Sequence, residues 1–177
     1  MVKKESLKAI KVIVFDVDGV LTDGKIHLIN DETELKSFCA RDLPRIRAFI
    51  GSGGKVALFT GRKAPAVIRR GRELKADILF KGELKERKVS LFEELERRYE
   101  VRAQEVLYVG DDWNDLVFMK QAGIAATPES GSPENKKIAG IITQAKGGEG
   151  VAAEIIEMVM RAQGTWERAV EYYLASD

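Results

Sequence analysis

The sequence predicts a doubly wound, Rossmann-like α/β fold built around a mostly parallel β-sheet. Short apolar, β-branched segments alternate with amphipathic segments along almost the whole chain, which is typical of parallel strands joined by helices on both faces. The 177 residues, 45% of them hydrophobic, suffice for one domain that buries roughly 70% of its unfolded surface. No repeat or long linker divides the sequence. We therefore expect a single domain over residues 1–177.

The alternation locates the individual elements. Apolar segments predict strands at residues 11–15, 55–59, 77–80, 106–109, 124–126 and 140–142. Amphipathic segments predict helices at residues 43–50, 64–74, 87–99, 114–122 and 150–162, with a last helix from Thr165. One insertion interrupts this order, because residues 25–29 and 34–38 resemble two strands around the polar turn 30–33. This insertion predicts a β-hairpin over about residues 25–38.

The overall charge excludes several classes of partner. The 29 basic residues nearly cancel the 28 acidic ones, so no extended positive field is available to attract nucleic acid or an anionic membrane. The apolar segments are too short to span a bilayer, and residues 1–10 lack the apolar core of a signal peptide. The single cysteine excludes an internal disulfide. We expect a cytoplasmic protein that binds neither nucleic acid nor membranes.

Acidic residues follow two of the predicted strands. Ligands of open parallel sheets bind beyond the carboxyl ends of the strands, where Asp16 and Asp18 follow the first strand. A second acidic group follows the strand at residues 106–109 and consists of Asp111, Asp112 and Asp115. Carboxylates gathered at one edge keep a proton or share a cation, and an all-oxygen site with open positions suits Mg²⁺. The two groups together predict a magnesium site.

Other interpretations of these acidic residues stay open from the residues alone. A calcium-binding loop should carry Asp or Asn at its fifth position, where this chain has Val20, and should follow a helix. Asp16 and Asp18 could also belong to a solvated turn. Asp112 and Asp115 could cap the helix predicted near Asn114.

Two further loops at the same edge suggest an anion site. Thr60, Gly61 and Arg62 place a hydroxyl and backbone N–H groups at the start of a helix, where anions are favoured. Lys88 lies near the beginning of the helix predicted over residues 87–99, although a lysine in such a place is often only solvated.

The order of these motifs, DxD, Thr, Lys and GDDxxD, resembles the signature of the haloacid dehalogenase superfamily. More narrowly, the chain resembles the 3-deoxy-D-manno-octulosonate 8-phosphate phosphatases from about Lys11 to its final helix. The shared segments are DVDGVLTDGKI from Asp16, RD from Arg41, TGRKA from Thr60, GDD from Gly110, GGEG from Gly147 and RAQG from Arg161. The resemblance implies a magnesium-dependent phosphatase acting on a sugar acid phosphate.

The resemblance also implies residue roles. Asp16 would be the nucleophile that forms an aspartyl-phosphate, and Asp18 would be the general acid and base. Thr60 and Lys88 would bind the phosphoryl oxygens. The metal ligands would be Asp16, the backbone carbonyl of Asp18 and Asp111, with Asp112 and Asp115 supporting them.

The resemblance also implies the residues that recognise the substrate. The matching positions are Gly61, Arg62, Arg41, Asp42, Arg47 and Arg70. Arginine suits the carboxylate and phosphate of a sugar acid phosphate, although Arg47 and Arg70 could simply lie on exposed helix faces. The chain departs from the family where Leu43 and Arg45 replace glycines, and where Glu149 and Ala153 replace basic residues.

The spacing of the motifs leaves no room for the lid domain that many relatives carry. The intervals between them already have to hold a hairpin, helices and strands. Capless relatives are tetramers, so the resemblance implies a homotetramer that covers its sites with neighbouring subunits. Two rival functions stay open, which are a phosphatase for a sialic-acid-type 9-phosphate and a non-catalytic binding subunit of the same fold.

Overall fold

The computed structural model describes residues 2–30 and 34–175. In chain order the described strands are β1 (Val12–Asp16), β2 (His27–Leu28), β3 (Glu34–Leu35), β4 (Lys55–Thr60), β5 (Asp77–Phe80), β6 (Val106–Val109), β7 (Ile124–Thr127) and β8 (Ile141–Ile142). The described helices are α1 (Lys4–Lys8), α2 (Asp42–Gly51), α3 (Pro65–Leu74), α4 (Lys81–Glu86), α5 (Leu91–Tyr99), α6 (Leu116–Met119), α7 (Pro133–Ile138), α8 (Val151–Gln163) and α9 (Trp166–Leu174).

Six strands form one parallel sheet in the order β5-β4-β1-β6-β7-β8. The chain builds outward from β1 in both directions, which confirms the predicted doubly wound α/β fold. Because β1 lies in the middle, its carboxyl end meets those of β4 and β6 at one edge. The strands β2 and β3 form a separate antiparallel pair, as the predicted hairpin requires, while residues 31–33 of its turn lie outside the described residues.

The sheet is buried on both faces. Along β1, Ile13 and Phe15 pack toward helices α1, α2 and α8, whereas Val12 and Val14 pack toward α5. Side chains alternate between the faces of a strand, so an unbroken apolar segment is what a strand between two helical layers needs. Each such side chain contributes about 1.5–3 kcal/mol when fully buried. The core therefore fixes β1 rigidly just before its last residue, Asp16.

The predicted helix over residues 87–99 is wrong at its start. The structure has α4 and then α5, separated by a turn in which Lys88 has a φ of 54°. Ser90 begins α5 with a capping box, since its hydroxyl accepts from the Glu93 N–H and the Glu93 carboxylate accepts from the Ser90 N–H. This cap makes a new helix start more favourable than continuation through Lys88.

The remaining differences are small. A short 3₁₀ turn at Trp113–Asp115 precedes α6, where the sequence predicts one longer helix, and α1 and α7 are additional. Between Gly19 and Lys55 the described residues form only the short strand pair and α2, which leaves no lid domain in that part of the chain. None of the described helices is long and apolar enough to cross a membrane. The single-domain organisation of the whole chain stays a prediction.

Candidate active site

The carboxyl ends of β1, β4, β5 and β6 surround a cavity of about 770 Å³. The pairing of Asp16 with Phe59, and of Thr60 with Phe80, aligns the ends of three strands side by side. The charged and hydroxyl side chains around the cavity include those of Asp16, Asp18, Thr60, Arg62, Lys81, Asp111, Asp112 and Asp115. The sheet therefore collects at one edge most of the chemistry that the sequence distributes over four loops.

Three carboxylates lie together in this cavity. One oxygen from each of Asp16, Asp111 and Asp115 lies within 4.8 Å of the others. Burial, followed by the charge of Asp115, raises the pKa of Asp16 well above its usual value and that of Asp111 to about 7. Carboxylates in such surroundings are stabilised by a shared cation, and their all-oxygen chemistry suits a hard divalent ion. The predicted ligands Asp16 and Asp111 thus fit a magnesium ion.

Asp115 is already committed to protein partners. Its Oδ1 atom accepts from the Tyr108 hydroxyl at 2.8 Å and from Lys81 Nζ at 3.4 Å. Its Oδ2 atom accepts from the backbone N–H groups of Asp111 at 3.1 Å and Asp112 at 3.4 Å. Asp115 therefore holds the loop that carries Asp111 in place. This contact supports the role that the resemblance implies for Asp115, which is to orient the metal ligands.

The glycine after Asp18 permits the approach of the two acidic loops. Gly19 has a φ of +96°, which non-glycine residues rarely adopt. A Cβ atom at this position would lie 2.0 Å from Oδ2 of Asp111, far inside van der Waals contact. Any side chain here would displace Asp111 from Asp16, so glycine is required for the acidic cluster.

Lys81 is the cavity lysine that contacts the acidic cluster, whereas the predicted Lys88 does not line the cavity. Lys81 directly follows β5, and its Nζ atom lies 3.2 Å from Oδ1 of Asp16. Burial opposes its charge, but the carboxylates of Asp16 and Asp115 outweigh burial and raise the pKa of Lys81. Lys88 lies beyond α4 and does not line the cavity. The carboxyl-end rule, applied to the strand at residues 77–80, would have selected Lys81.

The residues at the end of β4 and in the loop after it lie at the cavity, where the sequence predicts an anion site. Thr60 is buried at the strand end, and its hydroxyl accepts from the Arg62 N–H at 3.1 Å. Gly61 and Arg62 line the cavity. The Arg62 guanidinium lies 3.4 Å from the Glu34 carboxylate, so the hairpin borders the site.

The other predicted substrate residues do not line the cavity within one chain. Arg41 donates to the backbone carbonyl of Glu149, and Asp42 accepts from the Ala153 N–H at 2.9 Å. These contacts join the start of α2 to the start of α8. They use only backbone atoms of residues 149 and 153, so they tolerate the departures from the family at both positions.

Arg47 and Arg70 have similar structural roles. Arg47 donates twice to the Glu73 carbonyl, at 2.8 and 3.0 Å, and thereby binds the end of α3. Arg70 donates to the Cys39 carbonyl at 2.9 Å and lies over the Phe38 ring. The structure therefore brings Arg62, alone among the four predicted arginines, to the described cavity.

Comparisons with known proteins agree with this geometry. Residues 78–155 match the family model of a haloacid dehalogenase-like hydrolase. The chain is 34% identical over 160 residues to the 3-deoxy-D-manno-octulosonate 8-phosphate phosphatase of Escherichia coli K12, covering 90% of this chain and 84% of that protein. The chain belongs to the haloacid dehalogenase superfamily. This membership confirms the resemblance that the sequence motifs indicate.

Solved haloacid dehalogenase structures extend the likeness to the whole fold. A probable YrbI family phosphatase from Pseudomonas syringae pv. phaseolica is 36% identical with a TM-score of 0.89, covering 98% of both chains. The 3-deoxy-D-manno-octulosonate 8-phosphate phosphatase from Moraxella catarrhalis is 29% identical with a TM-score of 0.85, covering 96% of this chain and 97% of that one. The latter was solved in complex with magnesium, phosphate and KDO.

The acidic cluster predicts opposite effects of Asp111→Asn without and with magnesium. The pKa of Asp111 is raised from 3.8 to about 7 in the folded chain without metal. Between these two pH values the folded chain holds a proton that the unfolded chain releases, so the free energy of unfolding falls as pH rises from 3.8 to about 7. We expect Asp111→Asn to raise the unfolding temperature at about pH 8 in chelator, yet to lose most of the stabilisation by Mg²⁺.

Thermal unfolding between about pH 5 and about pH 8, with and without Mg²⁺, measures both effects. In the wild-type chain, the stabilisation by Mg²⁺ should grow as pH rises toward about 7, because the metal competes with the proton on Asp111. Asp23→Asn is the control, since Asp23 is an exposed carboxylate in the loop after β1 that pairs with Lys25 and does not line the cavity. Equal stabilisation of the wild-type and Asp111→Asn chains by Mg²⁺ would contradict the assignment of Asp111 as a ligand.

Proposed function

We propose that this protein is a magnesium-dependent phosphatase that hydrolyses a sugar acid phosphate, best matched by 3-deoxy-D-manno-octulosonate 8-phosphate, through an aspartyl-phosphate. The observation that carries the proposal is the environment of Asp16. Its buried carboxylate lies at the end of the central strand, beside Asp111 and within 3.2 Å of Lys81, at the base of an open cavity. An anionic nucleophile flanked by a cation and a metal site suits attack on a phosphate monoester.

The proposed reaction has two steps, formation of the aspartyl-phosphate and its hydrolysis. An Asp16 carboxylate oxygen attacks phosphorus, the bond from phosphorus to the sugar oxygen breaks, and Asp18 transfers its proton to that leaving oxygen. Water then attacks the aspartyl-phosphate while Asp18 accepts the proton, which releases phosphate and restores Asp16. Asp18 lines the same cavity two residues after Asp16, so it can serve both steps.

One cationic group and one hydroxyl group would bind the phosphoryl oxygens. Lys81 and the hydroxyl of Thr60 lie at the ends of neighbouring strands and face the cavity that Asp16 borders. Mg²⁺ held by Asp16, Asp111 and the Asp18 carbonyl would neutralise charge between the carboxylate and the phosphate. Positioning and electrostatics of this kind account for most of the catalysis in phosphoryl transfer.

The relatives support the proposed substrate class. The Escherichia coli relative is named for 3-deoxy-D-manno-octulosonate 8-phosphate, and the Moraxella catarrhalis structure contains the sugar acid together with phosphate and magnesium. Arg62 supplies a cation at the cavity for a substrate carboxylate or phosphate. A sialic-acid-type 9-phosphate presents similar groups and is the second candidate, whereas a non-catalytic subunit would have no need of this acidic cluster beside Lys81.

A panel of phosphate esters tests the proposed function. We expect Mg²⁺-dependent release of phosphate from 3-deoxy-D-manno-octulosonate 8-phosphate with the highest kcat/KM, and loss of turnover in excess chelator. N-acetylneuraminate 9-phosphate, glucose 6-phosphate and p-nitrophenyl phosphate complete the panel. A higher kcat/KM for the nine-carbon ester would favour the rival substrate. No turnover of any ester would contradict a phosphatase function.

The homotetramer and the cytoplasmic location remain part of the proposal. The hairpin exposes four large apolar side chains, with exposed fractions of 42% to 76%, at Ile26, Leu28, Ile29 and Leu35. Exposed apolar groups in one place are typical of surfaces that another subunit covers. Because the chain has no lid domain in its described residues, neighbouring subunits would also supply the water exclusion that the cavity lacks.

A further inference from the structure

We infer that Lys36, held by Glu34, is the positioning residue that aims the Asp18 carboxyl group at the leaving oxygen of the substrate. The inference rests on the proposed phosphatase function, in which Asp18 is the general acid and base. Glu34 lies in β3 of the hairpin and Lys36 follows it, outside the sequence motifs that predict the site.

Lys36 lies directly after β3, and its side chain is fully buried. Its ammonium group contacts Oδ1 of Asp18 and lies 3.3 Å from Oε1 of Glu34. Lysine is rarely buried in full unless its charge is paired, so a solvated surface role does not explain this position. The contacts fix the ammonium group between the hairpin and the loop after β1.

The pairing continues through Arg62 into a closed ring of alternating charge. Arg62 lies 3.4 Å from Oε2 of Glu34 and 4.0 Å from Oδ2 of Asp18. Each carboxylate of the ring, Asp18 and Glu34, therefore faces Lys36 with one oxygen and Arg62 with the other. The net charge of the ring is zero, so the ring can be partly buried without an uncompensated ion.

The geometry assigns different tasks to the two oxygens of Asp18. A carboxyl group that carries a proton on one oxygen still accepts a hydrogen bond through the other. Because Lys36 contacts Oδ1 closely and Arg62 is more distant from Oδ2, Oδ2 is the oxygen that is freer to face the leaving group. Lys36 also prevents rotation of the carboxyl group about its side-chain torsions, which matters because proton transfer requires a defined distance and direction.

The test compares two esters that need general acid catalysis to different degrees. The alkoxide released from a sugar phosphate must be protonated, whereas the nitrophenolate released from p-nitrophenyl phosphate is a weak base and leaves unprotonated. The quantity measured is kcat/KM, which reports on the first chemical step up to departure of the leaving group. The sugar phosphate is the one that the wild-type chain hydrolyses fastest in the panel above.

We expect Lys36→Met to lower kcat/KM for the sugar phosphate by about 10- to 100-fold, a share of the 10²–10⁴-fold that general acid–base catalysis contributes. For p-nitrophenyl phosphate the loss should stay below about threefold, since the nucleophile, Lys81 and the metal ligands are unchanged. Lys11→Met is the matched control. It breaks the Lys11–Glu105 ion pair at the opposite edge of the sheet and should leave both values at the wild-type level.

A second variant guards against misfolding. If Lys36→Met does not fold, the double variant Glu34→Gln with Lys36→Met removes one charge of each sign and is measured in its place. Equal losses on the two esters, or no loss on either, would overturn the inference while leaving the phosphatase proposal intact. A wild-type chain without Mg²⁺-dependent turnover of any ester would overturn both.

Discussion

Asp16→Asn is expected to lower kcat by roughly 10⁴-fold or more while the chain keeps its fold, since loss of a covalent nucleophile removes the catalytic route itself. The amide has nearly the same shape as the carboxylate and keeps the hydrogen-bond acceptor that faces Lys81. It cannot form an aspartyl-phosphate. Steady-state release of phosphate from the sugar phosphate, with circular dichroism to verify the fold, measures the effect.

Acid quenching provides a more direct measurement of the same prediction. With a ³²P-labelled substrate, the wild-type chain should retain covalent label that is released by alkali, whereas the Asp16→Asn chain should retain none. Asp23→Asn is again the matched control, because Asp23 is an acidic residue of the same loop that pairs with Lys25 instead of facing the cavity. A folded Asp16→Asn chain with wild-type turnover would reject Asp16 as the nucleophile.

The parallel sheet could be predicted well because its central strands carry the strongest sequence signal. β1 and β6 are buried at every position, and only unbroken apolar segments satisfy helical layers on both faces. The strand ends were predicted less well, since β1 and β4 each extend by one polar residue, Asp16 and Thr60. Parallel pairing to neighbouring strands continues through these residues whatever their polarity.

The helix boundaries near β5 could not be read from periodicity alone. Residues 87–99 share an apolar stripe, but the turn at Lys88 and the Ser90 cap divide the segment, and α4 begins at Lys81, six residues before the predicted helix start. The predicted helix start drew attention to Lys88, whereas the structure places Lys81 at the cavity. The carboxyl-end rule, in contrast, selects the loop directly after β5.

The long arginine and lysine side chains were the hardest to place from sequence. Arg41, Arg47 and Arg70 end on backbone carbonyl groups of distant segments, and these partners exist only after the chain has folded. The burial of Lys36 could not be predicted either, because β3 has only two residues and gives no sign that Asp18 lies beside it. The acidic groups were easier, since strand ends alone place them.

Substitution of Lys81 is expected to affect catalysis far more than substitution of Lys88. Lys81→Met is expected to lower kcat/KM by about 10²–10³-fold, the usual loss when one group that stabilises developing negative charge is removed. Its ammonium group lies 3.2 Å from Asp16 and 3.4 Å from Asp115, so the variant leaves two neighbouring carboxylates without their cation. Lys88→Met should remain within about twofold of wild type, because its side chain does not line the cavity.

The two variants make the same substitution near the two ends of α4, since Lys81 begins this helix and Lys88 follows its end. Comparing them separates a local disturbance of α4 from loss of the charge at the site. Lys81→Arg adds a further distinction. It restores the positive charge but not the compact ammonium group, and should recover only part of the activity, since a planar guanidinium has a different geometry between the Phe59 and Phe118 rings that border Lys81. A larger loss in Lys88→Met than in Lys81→Met would return the phosphate-binding role to the residue that the sequence pattern first indicated.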